Sequence, residues 1–167
     1  GSVYFAAPSF DLTLQVYHIN STYTENRAKF GATLALFCVT QNTQCQFIKN
    51  YAYNEGGAFY IQVYVSIYTG HCLFEQNKNE AVHIEQSHSI IDQQTDDHAL
   101  FYRSNFARNT GNKGSAICNM NSFVLFIQSC TLYTNKAHNK GGAVYTHDCK
   151  HIYMIQMTLK WNRASSG

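Results

Sequence analysis

Charged residues are scarce in this sequence, and the basic residues do not cluster. Only 13% of its 167 residues are Asp, Glu, Lys or Arg, against about 25% in an average globular domain. The net charge is +2, and the twelve Lys and Arg residues are scattered along the chain. Because nucleic-acid binding needs basic residues gathered on one surface, we predict no nucleic-acid partner.

Long apolar runs and a helix-type composition are also missing. No run approaches the roughly 18 apolar residues that cross a bilayer, so we predict no membrane insertion by this segment. One Pro, twelve Tyr and eleven Phe favour strands over helices or disorder. Residues 1–10 lack the basic start and apolar core of a signal peptide. Either a signal has been removed or the chain is an excerpt.

The six cysteines show no CxxC spacing. The absence of this spacing argues against a zinc ribbon and against a thioredoxin-like motif, and we predict no cofactor. An even number of cysteines permits three disulfides, but the spacing of several of them follows an internal repeat. The cysteines are Cys38, Cys45, Cys72, Cys118, Cys130 and Cys149.

A six-residue motif recurs along the whole chain. Its clearest copies are CQFIKN at 45–50, CLFEQN at 72–77 and CTLYTN at 130–135. Weaker copies begin at residues 21, 104 and 157, so successive copies begin 24, 27, 32, 26 and 27 residues apart. A second motif, GGA followed by an apolar residue, stands at 56–59 and 141–144. Related forms occur at 31–34, 79–82 and 114–117.

The repeated units carry strand signals. Residues 59–68 alternate between apolar and polar or aromatic side chains, which is the period of a strand with two different faces. Units of about 27 residues with short strands and Gly or Asn turns are typical of a parallel β-helix. We therefore predict an all-β fold, a right-handed parallel β-helix (solenoid) of about six coils, formed by residues 1–167 as a single domain.

Equivalent positions of successive coils stack in such a fold, because the coils lie about 4.8 Å apart. The column that contains Phe47 is large and apolar in every copy, so we place it in the core. The last position of the motif is Asn in every copy. We expect it at a tight bend, since Asn tolerates a left-handed backbone, and we expect its amides to form a ladder. This structural Asn ladder comprises Asn26, Asn50, Asn77, Asn109, Asn135 and Asn162.

The first position of the motif shares the inward face of the core column. Cysteine at this position is expected to be a buried thiol. Cys45 and Cys72 lie one coil apart, however, and are the pair that could form a disulfide. The position before it is polar in each coil and should face solvent. It includes Asn20, whose sequon with Ser21 and Thr22 predicts glycosylation if the chain is secreted.

The paired motifs resemble a known family. FxxN at 47–50, 74–77 and 106–109, with GGA and an apolar residue at 56–59 and 141–144, resembles the repeats of chlamydial polymorphic membrane proteins. Similar repeats occur in right-handed, pectin-lyase-like β-helix surface proteins of protists. The resemblance covers nearly the whole chain and implies an extracellular or cell-surface adhesive segment without catalysis. Residues 79–80 depart from it by replacing the glycines.

Both ends of the chain have nearly the same phase of the repeat. Residues 1–4 match the GGA phase, and residues 162–167 stop where the next glycine pair belongs. Neither end shows an evident polar cap, which a free solenoid needs. We expect a segment of a longer solenoid, or a unit that stacks end to end into a filament or stalk. Short unrecognised caps are the alternative.

Pectin-lyase-like folds also include enzymes, so acidic residues were considered as catalytic candidates. Asp92, Asp96 and Asp97 lie in the longest interval between repeats. Polysaccharide hydrolysis needs two opposed carboxylates, whereas adjacent strand residues point to opposite faces. A solvated loop is the simpler interpretation of these residues.

A second cluster contains His147, Cys149 and His151, which would share one face of a strand. Their spacing of about 6.6–7 Å along a strand is too wide for one tetrahedral ion. We therefore predict no metal site.

Aromatic residues on the outward faces are the remaining candidates for binding. Tyr60, Tyr64, Tyr68 and Tyr145 could form a strip that binds a glycan or a protein, with ordinary strand surface as the alternative. We expect a non-catalytic extracellular structural or adhesive segment whose partner is itself, a cell-surface protein or a glycan. The alternative is a carbohydrate-active enzyme, a polysaccharide lyase or hydrolase, that uses the loop at residues 92–98.

Overall fold

The chain winds into a parallel β-solenoid of about five turns. The computed structural model describes residues 3–5, 15–32, 34–36, 39–62, 66–85, 98–121 and 124–166. These residues form strands and turns and contain no helix, and their strand pairings are all parallel. The predicted all-β parallel β-helix is thus confirmed, with slightly fewer coils than the six expected.

Three six-stranded sheets form three sides of the solenoid in the described residues. The first contains β1 (Val3–Phe5), β5 (Leu34–Leu36), β9 (Phe59–Gln62), β12 (Val82–Glu85), β16 (Ile117–Met120) and β20 (Val144–His147). The second contains β2 (Gln15–Ile19), β6 (Val39–Thr43), β10 (Ile67–Gly70), β13 (His98–Tyr102), β17 (Val124–Gln128) and β21 (His151–Ile155). The third contains β3 (Thr22–Thr24), β7 (Gln46–Ile48), β11 (Leu73–Glu75), β14 (Asn105–Ala107), β18 (Thr131–Tyr133) and β22 (Thr158–Lys160).

A fourth side, whose strands form one two-stranded and one three-stranded sheet, connects the third sheet to the first. It contains β4 (Arg27–Phe30), β8 (Tyr51–Glu55), β15 (Thr110–Lys113), β19 (Lys136–Lys140) and β23 (Arg163–Ala164). Lys78 bridges β8 and β15 through isolated pairings with Tyr51 and Thr110. Each coil therefore runs through the second sheet, the third sheet, the fourth side and the first sheet in that order.

Columns of like side chains fill the interior. Phe47, Phe74 and Phe106 are in register on neighbouring strands, and each is fully buried. Their rings stack with centroid separations of 4.9 Å and 4.6 Å, close to the spacing of the strands themselves. Large apolar side chains at this repeat position thus build a continuous core through favourable stacking and loss of solvent-exposed area.

The asparagines of the repeat form a continuous column beside this core. In each of five steps, the Nδ2 and the backbone N–H of one Asn donate to Oδ1 of the Asn in the next coil, over 2.9–3.1 Å. From Asn50 onward, a further Nδ2 hydrogen bond joins each Asn to a backbone carbonyl of the preceding coil, such as Asn109 to Phe74 over 3.0 Å. The four interior members, Asn50, Asn77, Asn109 and Asn135, are fully buried, so these bonds satisfy groups that water does not reach.

The bends lie one residue away from the position we predicted. The left-handed residue is the one before each Asn, for example Lys49 at φ 54° and Gln76 at φ 56°. The expectation that Asn itself takes the left-handed conformation is therefore wrong. Asn is required for its inward amide, which has two donors and an acceptor, while an exposed neighbour takes the bend.

Candidate functional site

A polar cleft lies outside the apolar core, between β8 and β12. Glu55 is the last residue of β8. His83 and Glu85 lie two residues apart on β12, and their side chains share one face because strand side chains alternate. Glu80 belongs to the turn before β12. These four residues line a cleft of about 170 Å³.

Short contacts converge on the His83 ring. Its Nε2 lies 3.4 Å from Glu55 Oε2, and its Nδ1 lies 3.9 Å from Glu80 Oε2. Ligand atoms of Glu55, His83 and Glu85 all lie within 4.8 Å of one another. The hydroxyl of Tyr60 donates to Glu85 Oε2 over 2.9 Å, and this bond orients the Glu85 carboxylate.

Burial shifts the protonation equilibria in this cleft. Burial lowers the pKa of His83 to about 4, so its imidazole is neutral at neutral pH. Burial also raises the pKa of Glu80 to about 7, against hydrogen bonds from backbone N–H groups that lower it. The pKa of Glu55 is raised by burial first and by the neighbouring Glu85 charge second. The cleft therefore combines a neutral imidazole with several carboxylates.

A departure from the repeat places Glu80 in the cleft. Asn79 and Glu80 occupy the positions of the glycine pair and take left-handed φ values of 62° and 56°. Glu80 Oε1 accepts a hydrogen bond from the backbone N–H of Asn112 over 2.9 Å. Gly111 leaves room for this side chain, since a Cβ on Gly111 would lie 2.9 Å from Oε1 and 2.8 Å from the Glu80 nitrogen.

The sequence reasoning missed this site. Glu55 and His83 come from different coils, and only the stacking of β8 beside the first sheet brings them together. The available signal was the acidic residue at position 80, where the related motifs have a small residue, namely glycine, alanine or serine. One imidazole and two carboxylates within 4.8 Å are a donor set that could hold a divalent metal ion.

His147, Cys149 and His151 do not share a strand face, contrary to our expectation. β20 ends at His147 and β21 begins at His151, and Asp148 between them is left-handed at φ 51°. Cys149 Sγ donates instead to the carbonyl oxygens of His147 and Asn119. In the part of the chain that the structure describes, the three side chains do not assemble into a ligand group.

Tyr60, Tyr68 and Tyr145 do not form the continuous exposed strip that the sequence suggested. Tyr60 is only 8% exposed, because it stacks on His83 and packs against Phe30 from the fourth side. Tyr145 is half-buried three strands away in the same column, whereas Tyr68 lies on the second sheet. Tyr64 lies outside the described residues.

Cys45 and Cys72 are free thiols, so the disulfide that the sequence allowed is not formed. Cys45 Sγ donates to the carbonyl of His18 over 3.3 Å. Cys72 Sγ donates to that of Gly70 over 3.3 Å and also accepts from the Cys45 backbone N–H over 3.4 Å. The inward cysteines therefore satisfy backbone groups of adjacent coils, as small buried residues with weak hydrogen-bonding capacity.

The predicted glycosylation site at Asn20 and the acidic catalytic candidates remain to be placed in the structure. Asn20 is exposed and lies at a left-handed bend with φ 50°, so its glycosylation stays a prediction. The acidic candidates Asp92, Asp96 and Asp97 lie outside the described residues, so the alternative of a carbohydrate-active enzyme stays a prediction.

A second candidate surface is the C-terminal coil, where core columns are open to solvent. Leu159 is 53% exposed although Leu132, its partner one coil earlier, is fully buried. Ile152 and Met154 on β21 are 41% and 43% exposed, whereas their register partners on β17 are fully buried. We call Ile152, Met154 and Leu159 the C-terminal coil surface.

Comparisons with protein-family models, with curated proteins and with solved structures gave no match to this chain. The described residues contain no helix that is long and apolar enough to cross a membrane.

Proposed function

We propose that the chain is a non-catalytic structural segment that assembles end to end through the C-terminal coil surface. The observation that carries this proposal is the exposure of core columns at that coil, with Leu159 at 53% against complete burial of Leu132. In the solenoid interior, each such position is covered by an equivalent side chain. The partner with the matching spacing is another coil of the same kind.

Burial of this surface would be favourable. Each large aliphatic side chain contributes about 1.5–3 kcal/mol on going from full exposure to full burial. Because the three members of the surface are 41–53% exposed, complete burial supplies about half of their sum, or about 2–4.5 kcal/mol. β21 and β22 are also the last strands of their sheets in the described residues, and a strand edge readily pairs with another parallel strand.

When the 167-residue chain is studied by itself, a second copy of it supplies the partner coil. Its opposite end carries Val16 in the column of Ile152 and Tyr23 in the column of Leu159. Contact between two different ends is heterologous, and repetition of such a contact produces a filament.

The proposed setting is extracellular or at a cell surface, where the rigid solenoid would act as a stalk or an adhesive segment. The FxxN and GGA motifs, which resemble repeats of chlamydial and protist surface proteins, support this setting, and so does the exposed sequon at Asn20. A glycan or a cell-surface protein is the corresponding partner for the lateral faces.

Sedimentation velocity of the 167-residue chain over a range of concentrations tests the assembly. We expect species larger than the monomer for the wild type and monomer for Leu159→Asp. Tyr53→Asp is the matched control, because Tyr53 is 63% exposed but lies on the fourth side, and we expect it to assemble normally. A wild-type chain that stays monomeric at high concentration, or a Leu159→Asp variant that assembles like the wild type, would contradict the proposal.

A further inference from the structure

The polar cleft between β8 and β12 carries more negative than positive charge. Glu55, Glu80 and Glu85 all line it, and Lys113 is the cation among the described lining residues. Carboxylates that share a small cleft repel one another. A bound cation would relieve this repulsion and would be held by the groups that create it.

We propose that Glu55, His83 and Glu85 bind a Zn²⁺ ion in this cleft. Two ligand atoms at about 2.1 Å from a tetrahedral ion lie about 3.4 Å apart, and the separation of His83 Nε2 and Glu55 Oε2 is 3.4 Å. Glu85 completes the group with all ligand atoms within 4.8 Å of one another. Glu55 and Glu85 are half-exposed, so small rotations of their side chains can shorten the separations between ligand atoms from at most 4.8 Å to about 3.4 Å.

Buried groups behind the three ligands support the site independently. Glu80 is 4% exposed and His83 is 5% exposed, yet Glu80 Oε2 and His83 Nδ1 have no hydrogen-bond partner. They face each other at 3.9 Å. A histidine that binds a metal usually donates its other ring N–H to a carboxylate. A metal ion at Nε2 leaves the ring proton on Nδ1. This N–H can donate a hydrogen bond to Glu80 Oε2 once the two atoms move closer than their present 3.9 Å.

The Glu85 carboxylate has a comparable support, because the Tyr60 hydroxyl donates to its Oε2 over 2.9 Å. Tyr60 is itself nearly buried beside the His83 ring. Outer hydrogen bonds of this kind fix the orientation of ligands before the ion arrives. Tyr60 and Glu80 are thus positioning residues for the site.

The donor set selects the class of ion. Ca²⁺ and Mg²⁺ prefer sites made of oxygen atoms, whereas imidazole with carboxylate suits Zn²⁺ and related transition metals. Three protein ligands leave a fourth position of a tetrahedral ion open. Water or a ligand group from the solvent would occupy that position.

Calorimetric titration of the metal-free, 167-residue chain with Zn²⁺ tests the proposal, and Co²⁺ absorption spectra report the ligand geometry. We expect one ion per chain and at least about tenfold weaker binding for Glu85→Gln and for Glu55→Gln. We expect Glu80→Gln to weaken binding by about tenfold, the effect typical of the outer carboxylate of a metal-bound histidine. Circular dichroism establishes that each variant is folded before it is titrated.

Two control variants distinguish this cleft from other binding. Glu25→Gln removes an exposed carboxylate, and His147→Gln removes an exposed imidazole next to Cys149 and His151. Both should bind Zn²⁺ like the wild type. The proposal is overturned if the wild-type chain binds no stoichiometric Zn²⁺, if folded Glu85→Gln and Glu55→Gln variants bind as well as the wild type, or if His147→Gln abolishes binding.

Discussion

Replacement of Asn109 by leucine is expected to destabilise the solenoid although it adds an apolar side chain to a buried position. Asn109 Oδ1 accepts from the backbone N–H and from Nδ2 of Asn77. Its Nδ2 donates to Asn135 Oδ1 and to the Phe74 carbonyl. Leucine would remove all four hydrogen bonds from a column that water does not reach.

The magnitude follows from the groups that lose their partners. Two buried donors of Asn77 would each cost about 1–3 kcal/mol, which gives about 2–6 kcal/mol in total. Burial of the leucine side chain offsets about 1.5–3 kcal/mol of this loss. The branched side chain must also fit between Asn77 and Asn135, which adds a cost for overpacking. We expect a net loss of about 2 kcal/mol or more in the free energy of unfolding.

Equilibrium unfolding in urea, followed by circular dichroism and by tyrosine fluorescence, measures this loss. Asn105→Leu is the matched control, since Asn105 lies on β14 in the same coil but is exposed, and its effect should stay within about 0.5 kcal/mol. Asn162→Leu should cost less than Asn109→Leu because Asn162 is half-buried. An Asn109→Leu variant as stable as the wild type would refute the role assigned to the ladder.

Three further predictions concern a bend, a thiol and a histidine. Thr134→Gly should stabilise the fold by about 0.5–1 kcal/mol in urea unfolding. Thr134 is β-branched at φ 55°, and relief of its left-handed strain exceeds the entropic cost of glycine. The control Thr131→Gly on β18 should destabilise the fold, and equal effects of the two variants would contradict this reasoning. Burial raises the pKa of the Cys72 thiol to about 12, so mass spectrometry at pH 8 should show slower alkylation of Cys72 than of half-buried Cys149; equal rates would count against its burial. Burial lowers the pKa of His18 below the usual value of 6.5. As the pH falls below about 6.5, the unfolded chain therefore binds a proton at this residue that the folded chain does not bind. The free energy of unfolding should then decrease as the pH decreases. His18→Phe should reduce this pH dependence, whereas an unchanged slope would show that His18 contributes nothing to it.

The fold was predictable because the repeat carries redundant information. Phe47 and Phe74 recur with Asn50 and Asn77 at a fixed offset, and a repeat of this length needs a structure in which equivalent residues touch. The parallel registers of Phe47 with Phe74 and of Phe74 with Phe106 are the direct physical expression of that pattern. Stacking of like residues explains both columns.

The bend position was harder to predict, because conformational preference and hydrogen bonding compete for the same residue type. Asn is common in left-handed turns, but Asn50 is needed inside for its amide. Lys49 takes the left-handed conformation instead, since an exposed side chain has no packing to lose there. A preference scale alone favours the wrong residue of this pair.

The cleft was not predictable from strand alternation. Period two assigns Tyr60 and His83 correctly to the outward face of the first sheet, opposite core residues such as Phe59 and Val82. An outward residue is exposed only where nothing packs over it, and the fourth side, with Phe30, packs over Tyr60. Burial of these residues depends on the cross-section of the solenoid, which no single strand encodes.

Contacts between the side-chain amides of Asn77 and Asn109 test the stacking of coils most directly. These residues are 32 positions apart in sequence, but Asn77 Nδ2 lies 3.1 Å from Asn109 Oδ1. Nuclear Overhauser spectroscopy on a chain labelled at asparagine should show cross-peaks between these two amides, and side-chain amide protons that exchange slowly with solvent. Rapid exchange of these protons, or cross-peaks from Asn77 to residues of a different register, would contradict the account.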